Sequence, residues 1–225
     1  MPSYSGGKSK CGKEIFQVLK TLNVTNLPYI EPFCGMLGVG IHNTEEWVAN
    51  DLNEDLILML YSLKHGWTPP TQPCTKAEYD TLKNQNYSSA LRGFYLLSCA
   101  YSSIWGAGYR TDRFFTQFRN TLIKMDLSKV SFMNKDYREV VSGLKGKFIY
   151  CDPPYKNNKF NNKFFSGFNH EEFWDIVRLL SRDNVVVVSE YTAPPDFRVI
   201  WEKTMNTNYS GQNKLHIEKL FKIST

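Results

Sequence analysis

Apolar residues recur along this chain in two alternating rhythms, the spaced face of a buried helix and the short continuous run of a buried strand. In "SKCGKEIFQVLKTL" (9–22), Ile15, Phe16, Leu19 and Leu22 fall on one helical face. "LPYIEPF" (27–33) reads as a short buried strand that runs into the glycine-rich "CGMLGVG". "EWVAN" is a second strand. It precedes "DLNEDLILMLYSLKHG", a helix whose buried face includes Leu56, Leu60 and Leu63. Gly66 closes that helix, and Pro69-Pro70 forbids its continuation. The rhythm returns with the strand "KVSFMN", a helix from Asp136 to about Gly143, and the strand "GKFIYC". Asn169 and Glu172 are spaced as a capping pair before a helix that buries Phe173, Ile176, Val177 and Leu180. "NVVVVSE" is the clearest buried strand, and "FRVIWEKT" with "KLHIEKLFKI" predicts a closing antiparallel hairpin. Strands alternating with helices predict an α/β fold, with a mostly parallel sheet and ligands at the strands' C-terminal ends.

Residues 67–125 break the rhythm. They are polar, aromatic and basic, and after a proline-rich loop they read mainly as helices. The expected organisation is one domain built from 1–66 and 126–225, with 67–125 inserted into it. A chain of 225 residues with 42% hydrophobic and 22% charged residues has enough apolar surface for a real core. No apolar run approaches the ~20 residues of a membrane span, and the N-terminus lacks a signal-like stretch, so an intracellular location is expected. Five scattered cysteines without a C-x-x-C pair are expected as free thiols, and with four histidines they predict no metal site. The net charge of +5 permits a polyanionic partner without demanding one.

The chemistry concentrates after "GKFIYC", in Asp152-Pro153-Pro154-Tyr155. Two prolines fix the backbone and remove two N–H donors, leaving carbonyls that only accept. A carboxylate, an acceptor-only backbone and an aromatic ring together suit a planar substrate that bears an NH2 group. Asp152 and the Pro153 carbonyl can each accept an amino proton, while Tyr155 stacks on the base.

That tetrad resembles the catalytic motif of the alpha-group, Dam-like DNA N6-adenine methyltransferases, and the resemblance extends over most of the chain. "EPFCGMLGVG" resembles their S-adenosylmethionine loop, with Phe33 and Gly35 in the matching places. Leu37 stands where a second glycine is expected, and Gly38 offers the close backbone approach instead. "VANDLNEDLI" places Asp51 where the family's acidic residue binds the ribose hydroxyls; the alternative for Asp51 is an N-cap of the helix starting near Asn53. "NKDYREVV" places Asp136 near the cofactor's adenine, against an alternative role at a helix N-terminus. "VVVVSEYTAP" and "KLHIEKLF" resemble late strand motifs. The resemblance implies a Rossmann-like S-adenosylmethionine-dependent methyltransferase fold, no metal, and methylation of an adenine flipped out of double-stranded DNA. It further implies a short, palindromic recognition site, as in restriction–modification systems, and leaves monomer against dimer open.

Residues Gly7 to Lys13 also read G-x-x-x-x-G-K, the spacing of a phosphate-binding loop. Such a loop needs an apolar strand before it and Ser or Thr after the lysine. Here "MPSY" precedes and Glu14 follows, which excludes it. "SYSGGKS" instead resembles the family's N-terminal motif, with Ser5 in place of a proline; the resemblance puts Tyr4, Gly7 and Lys8 at the cofactor's methionine end.

In "SIWGAGYRTDRFFTQFRNTLIK", Arg110, Arg113, Arg119 and Lys124 are interleaved with Tyr109, Phe114, Phe115 and Phe118. The basic residues are expected on DNA, Arg110 first, and the phenylalanines in the core. Lys156, Lys159 and Lys163 either grip the substrate strand or keep their loop solvated. The competing readings are methylation of another NH2 group (cytosine N4, an RNA adenine, a glutamine amide) and a non-catalytic DNA-binding module. Asp152 favours adenine over cytosine and glutamine, whose enzymes more often carry Ser and Asn at that place; the tetrad's chemistry is indifferent to the 2′-OH and leaves RNA open, and the intact tetrad argues against the non-catalytic module.

Overall fold

The computed structural model describes residues 7–22, 24, 26–111, 113–156, 167–209 and 212–224, of which 207–209 and 212–214 are described by backbone alone. Parallel strands β1 (Tyr29–Glu31), β2 (Trp47–Asn50), β3 (Val130–Met133), β4 (Phe148–Cys151) and β5 (Val185–Glu190) form one sheet with the hairpin strands β6 (Phe197–Tyr209) and β7 (Gln212–Ile223). The order across the sheet is β3-β2-β1-β4-β5-β7-β6, with β7 antiparallel to both of its neighbours. This is the Rossmann-like methyltransferase architecture that the sequence predicts. The order reverses between β1 and β4, where an open α/β sheet binds its ligands.

Each central strand is covered on both faces, which is why it reads as an unbroken apolar run. Along β4, Phe148 and Tyr150 join one core cluster, and Ile149 and Cys151 join the other. The first face carries α1 (Gly12–Lys20) and α2 (Glu54–Lys64), through Ile15, Phe16, Leu19, Leu56 and Leu60. The second carries α6 (Tyr137–Val141) and α7 (His170–Leu180), through Val141, Phe173, Trp174 and Val177.

Residues 67–125 hold α3 (Lys76–Asn84), α4 (Ala90–Ser98) and α5 (Arg113–Leu122), and they extend the first face's core. Phe115 and Phe118 of α5 are buried there, as expected, beside Phe94 of α4, whereas Phe114 is half-buried against the same core. A Cβ on Gly93 would fall 2.3 Å from the Asp55 carbonyl, so α4 lies directly against α2. The buried guanidinium of Arg92 donates to Asp55 across that contact, and its Nε donates to the Leu82 carbonyl at 2.7 Å.

Local differences from the sequence reading have local causes. Asn169 caps α7 alone, accepting from the Glu171 and Glu172 amides, while the Glu172 side chain faces Arg138 at 3.4 Å. Asn53, not Asp51, caps α2, its side chain accepting from the Leu56 amide at 3.3 Å. The N-cap alternative for Asp51 is thereby set aside.

Candidate active site

The C-terminal ends of the parallel strands line one edge of the sheet. β1 ends in Glu31 and enters the glycine-rich loop, where Gly35 (φ 45°) and Leu37 (φ 62°) are both left-handed. For leucine that conformation costs on the order of 1–2 kcal/mol. Complete burial of the Leu37 side chain offsets it, since enclosing a leucine contributes about 1.5–3 kcal/mol. The close approach falls to Gly38, where a Cβ would lie 3.0 Å from the Lys8 amide nitrogen. A Cβ on Gly12 would in turn meet the Gly38 carbonyl oxygen at 1.8 Å. The loop and the N-terminal segment therefore interlock through two glycines.

Asp51 follows β2. Its Oδ2 accepts from the Gly35 amide at 3.0 Å and its Oδ1 from the Asn53 amide at 2.9 Å. Burial raises its pKa, and those two N–H bonds act against the shift. Asn50, also buried, ties three strand ends together. Its Nδ2 donates to the Pro32 and Lys135 carbonyls at 2.9 and 3.0 Å, and its Oδ1 accepts from the Lys135 amide. Phe33 packs on Tyr137 with ring centroids 5.0 Å apart. Asp136 caps α6 and is held by Arg138, whose Nε lies 2.8 Å from Oδ1; that bond holds its carboxyl below the ordinary range.

β4 leads directly into the tetrad. Asp152 Oδ1 accepts from the Lys8 ammonium at 2.6 Å, and Lys8 is 4% exposed. The same ammonium lies 3.6 Å from Glu218 Oε1 and 4.7 Å from the centroid of the Tyr155 ring. The Tyr155 phenol donates to Glu218 and lies 2.9 Å from Ser189 Oγ, while the ring meets Tyr191 edge-on at 4.7 Å. Burial pushes the Asp152 carboxyl up to about 6; Lys8 pulls it down and Glu218 adds to the rise. For Lys8, burial alone lowers the pKa, but Asp152 and Glu218 outweigh it and hold the ammonium above its ordinary value. Glu31, which accepts from the Tyr29 phenol at 2.6 Å, is pushed up to about 8 by burial. At neutral pH the Lys8 ammonium thus faces a mostly ionised Asp152, while Glu31 is largely protonated.

The structure brings Lys8, Gly35, Asp51 and Asp152–Tyr155 to this edge, and joins Lys8 to Asp152 directly. Gly7 is exposed beside Lys8; Tyr4, Lys159 and Lys163 lie outside the described residues. Arg110, Arg113, Lys124 and Lys156 are exposed. Arg110 stands over the Tyr101 ring at 5.6 Å, and the Lys156 amide donates to Glu190 at 2.8 Å. Arg119 is half-buried, with its Nε donating to the Pro69 carbonyl at 3.1 Å, so its side chain also anchors the proline loop.

Sequence reasoning missed Glu218, Ser189, Glu31 and Asn50. The signal for Glu218 is its position on β7, a charged residue two places before the fully buried Leu220 and hence on the inward face of the strand. Among the described residues, no group of three or more His, Cys, Asp or Glu side chains is placed to hold a metal ion, and no helix is long and apolar enough to cross a membrane. The five cysteines are free and buried.

A family model described as D12 class N6 adenine-specific DNA methyltransferase matches residues 4–98 and 87–182. No curated protein matches the sequence. Solved structures of similar fold include a proposed methyltransferase, yhhF, of Escherichia coli, 10% identical with a TM-score of 0.38 over 92% of this chain and 85% of that one. A proposed RNA methyltransferase of Pyrococcus horikoshii is 9% identical with a TM-score of 0.43, over 96% and 84% of the two chains. A proposed methylase of Haemophilus influenzae is 12% identical with a TM-score of 0.38, over 94% and 98%. Likeness this distant says nothing of substrate.

Proposed function

Because the chain belongs to the D12 class N6 adenine-specific DNA methyltransferase family, we propose that it methylates the N6 amino group of an adenine flipped out of double-stranded DNA. The observation that carries this reading is the Asp152 carboxylate at the end of β4, next to the β1 end where the Gly35 loop begins.

The amino nitrogen of adenine is conjugated with its ring and is a poor nucleophile. Asp152 and the Pro153 carbonyl accept its two protons, which favours a tetrahedral nitrogen with its lone pair free to attack. A carboxylate offers about four acceptor positions, so Asp152 holds Lys8 and an amino proton together. Forming the N–C bond breaks the methyl's C–S bond, whose electron pair would stay on sulfur as a neutral thioether; the nitrogen's surplus proton passes to Asp152, whose pKa of about 6 lets it release that proton to water. S-adenosylmethionine supplies an already activated methyl group, so the protein's part is positioning and electrostatics.

The residues present fit that cofactor. In this reading the Asp51 lone pairs not used by Gly35 and Asn53 take the ribose hydroxyls. Phe33 and Asp136 border the adenine, and Gly7 and Lys8 the methionine end. Residues 67–125 serve as the DNA-recognition insertion. Arg110, Arg113 and Lys124 meet phosphates or base edges there, and Lys156 does so beside the tetrad, with Arg119 partly withdrawn to Pro69. Flipping the base costs a few kcal/mol, which the phosphate contacts and Tyr155 stacking offset.

The test is expression in a methylation-deficient host, followed by modification mapping of DNA and RNA. N6-methyladenine at one short DNA site is expected. Unmodified nucleic acid would overturn the activity, and methylation confined to RNA would overturn the substrate.

A further inference from the structure

We infer that Glu218, on the closing hairpin, is a positioning residue for methyl transfer, fixing the Tyr155 ring and setting how tightly Lys8 holds Asp152. The inference rests on the methyl-transfer reading above and assigns a role to a residue outside the tetrad and the cofactor loop.

Glu218 is 5% exposed, two places before the fully buried Leu220 on the same face of β7. A buried carboxylate is costly unless it is paired and hydrogen-bonded, and an apolar residue of similar volume is often no less stabilising. Here the hydrogen-bonding partners and the nearest cation belong to the site. Oε1 accepts from the Tyr155 phenol and from Ser189 Oγ at 3.0 Å, and faces the Lys8 ammonium at 3.6 Å. Oε2 lies 3.9 Å from His216 Nε2. Ser189 itself reaches the Tyr155 phenol, closing a triangle of Tyr155, Ser189 and Glu218. The ring is thereby pinned at its hydroxyl by β5 and β7, at its edge by Tyr191, and on one face by Lys8.

Glu218 and Asp152 share one cation. The Glu218 charge draws Lys8 toward itself and disfavours ionisation of Asp152, so it tunes the tetrad's carboxylate without touching the substrate. The charged and titratable groups around it are Lys8 and Cys11 from the N-terminal segment, Tyr150, Asp152 and Tyr155 from β4 and its loop, Tyr191 after β5, and His216 on β7.

The experiment compares wild type, Glu218→Gln and Glu218→Ala for cofactor affinity, kcat and KM on DNA across pH, and the ζ-13C resonance of Tyr155, assigned with Tyr155→Phe. Glutamine keeps an acceptor for the phenol and removes the charge. Its kcat is expected to fall less than that of the alanine variant, and the acid limb of its kcat/KM profile to move to lower pH. Alanine is expected to lower kcat by about tenfold or more, roughly 1.4 kcal/mol in the barrier, with cofactor affinity unchanged. The Tyr155 resonance should shift in both. Equal defects in the two variants with an unmoved acid limb would make Glu218 purely structural and overturn the inference. Should wild type methylate no DNA, the functional reading fails on its own. The Glu218 inference is then decided by the Tyr155 resonance, and an unchanged resonance in the glutamine variant sinks it.

Discussion

The Lys8 ammonium and the Asp152 carboxylate meet at 2.6 Å although 144 residues separate them along the chain. This pair ties the N-terminal segment, interlocked with the glycine-rich loop after β1 through Gly12 and Gly38, to the end of β4. It also fixes the charge state of the group on which the proposed chemistry turns.

Lys8 and Glu218 act on Asp152 with opposite signs. Replacing Lys8 by Met removes the charge that pulls the Asp152 pKa down, so the acid limb of kcat/KM, expected near pH 6 in wild type, should move to higher pH. Asp152→Asn, which has no carboxylate to titrate, should lose methyl transfer at every pH while binding the cofactor within a few-fold of wild type. Rate profiles for the three proteins check both statements. A Lys8→Met profile shifted to lower pH, or turnover retained in the asparagine variant, would remove Asp152 from the chemistry.

Glu31 makes stability depend on pH. Its pKa rises from 4.5 to about 8 on folding, so the folded chain keeps a proton that the unfolded chain releases. The corresponding stability is full below pH 4.5 and is lost as pH rises through about 8, at ~1.4 kcal/mol per pH unit for one group. Glu31→Gln stays neutral and still accepts from the Tyr29 phenol. Its melting temperature relative to wild type should therefore climb steadily between pH 5 and pH 8. A difference independent of pH would show that Glu31 is ionised in the fold.

Asp51 has two separable duties, holding the Gly35 amide and, by proposal, the ribose. Asp51→Ala should weaken S-adenosylmethionine binding by ~10- to 100-fold, since hydrogen bonds to a charged group contribute about 1.5–3 kcal/mol. Calorimetry with a cofactor analogue lacking both ribose hydroxyls separates the duties. The alanine penalty should shrink on the analogue; an undiminished penalty would confine Asp51 to the Gly35 loop.

Much of this site was legible because its parts are local. β4 and the four valines that open β5 announce themselves as apolar runs, and the tetrad and Asp51 sit where β4 and β2 end. The unread parts depend on contacts far apart in sequence. Glu218 reaches Tyr155 across 63 residues, and no local pattern pairs them. The missing glycine at Leu37 is explained by a left-handed turn whose leucine is swallowed by the core. Glu172 has the spacing of a capping partner, yet Arg138, 34 residues away, engages its side chain. In residues 67–125 the helices and buried phenylalanines follow from periodicity, whereas a nucleic-acid contact would leave no such trace, because an exposed arginine reads alike on either face.

Tyr155 tests base flipping itself. Its phenol is bound to Glu218 and Ser189, so Tyr155→Phe keeps the ring face but leaves a buried carboxylate short of a donor, at a cost of about 1–3 kcal/mol in stability. Methyl transfer by that variant should persist at temperatures below its lowered melting point. Tyr155→Ala removes the stacking face as well, and should lose a further ~1–3 kcal/mol of binding to the flipped base, roughly ten- to a hundredfold. A mismatch opposite the target adenine makes extrusion cheaper, so it should restore part of the alanine defect and little of the phenylalanine one. A tyrosine that only plugs the space beneath the loop predicts something else: both variants destabilised, with equal defects on matched and mismatched duplexes. Turnover on the two duplexes, measured beside melting temperatures, separates the cases. Identical alanine defects on both would end the stacking role and leave Tyr155 as the peg on which Glu218 and Ser189 hang the loop.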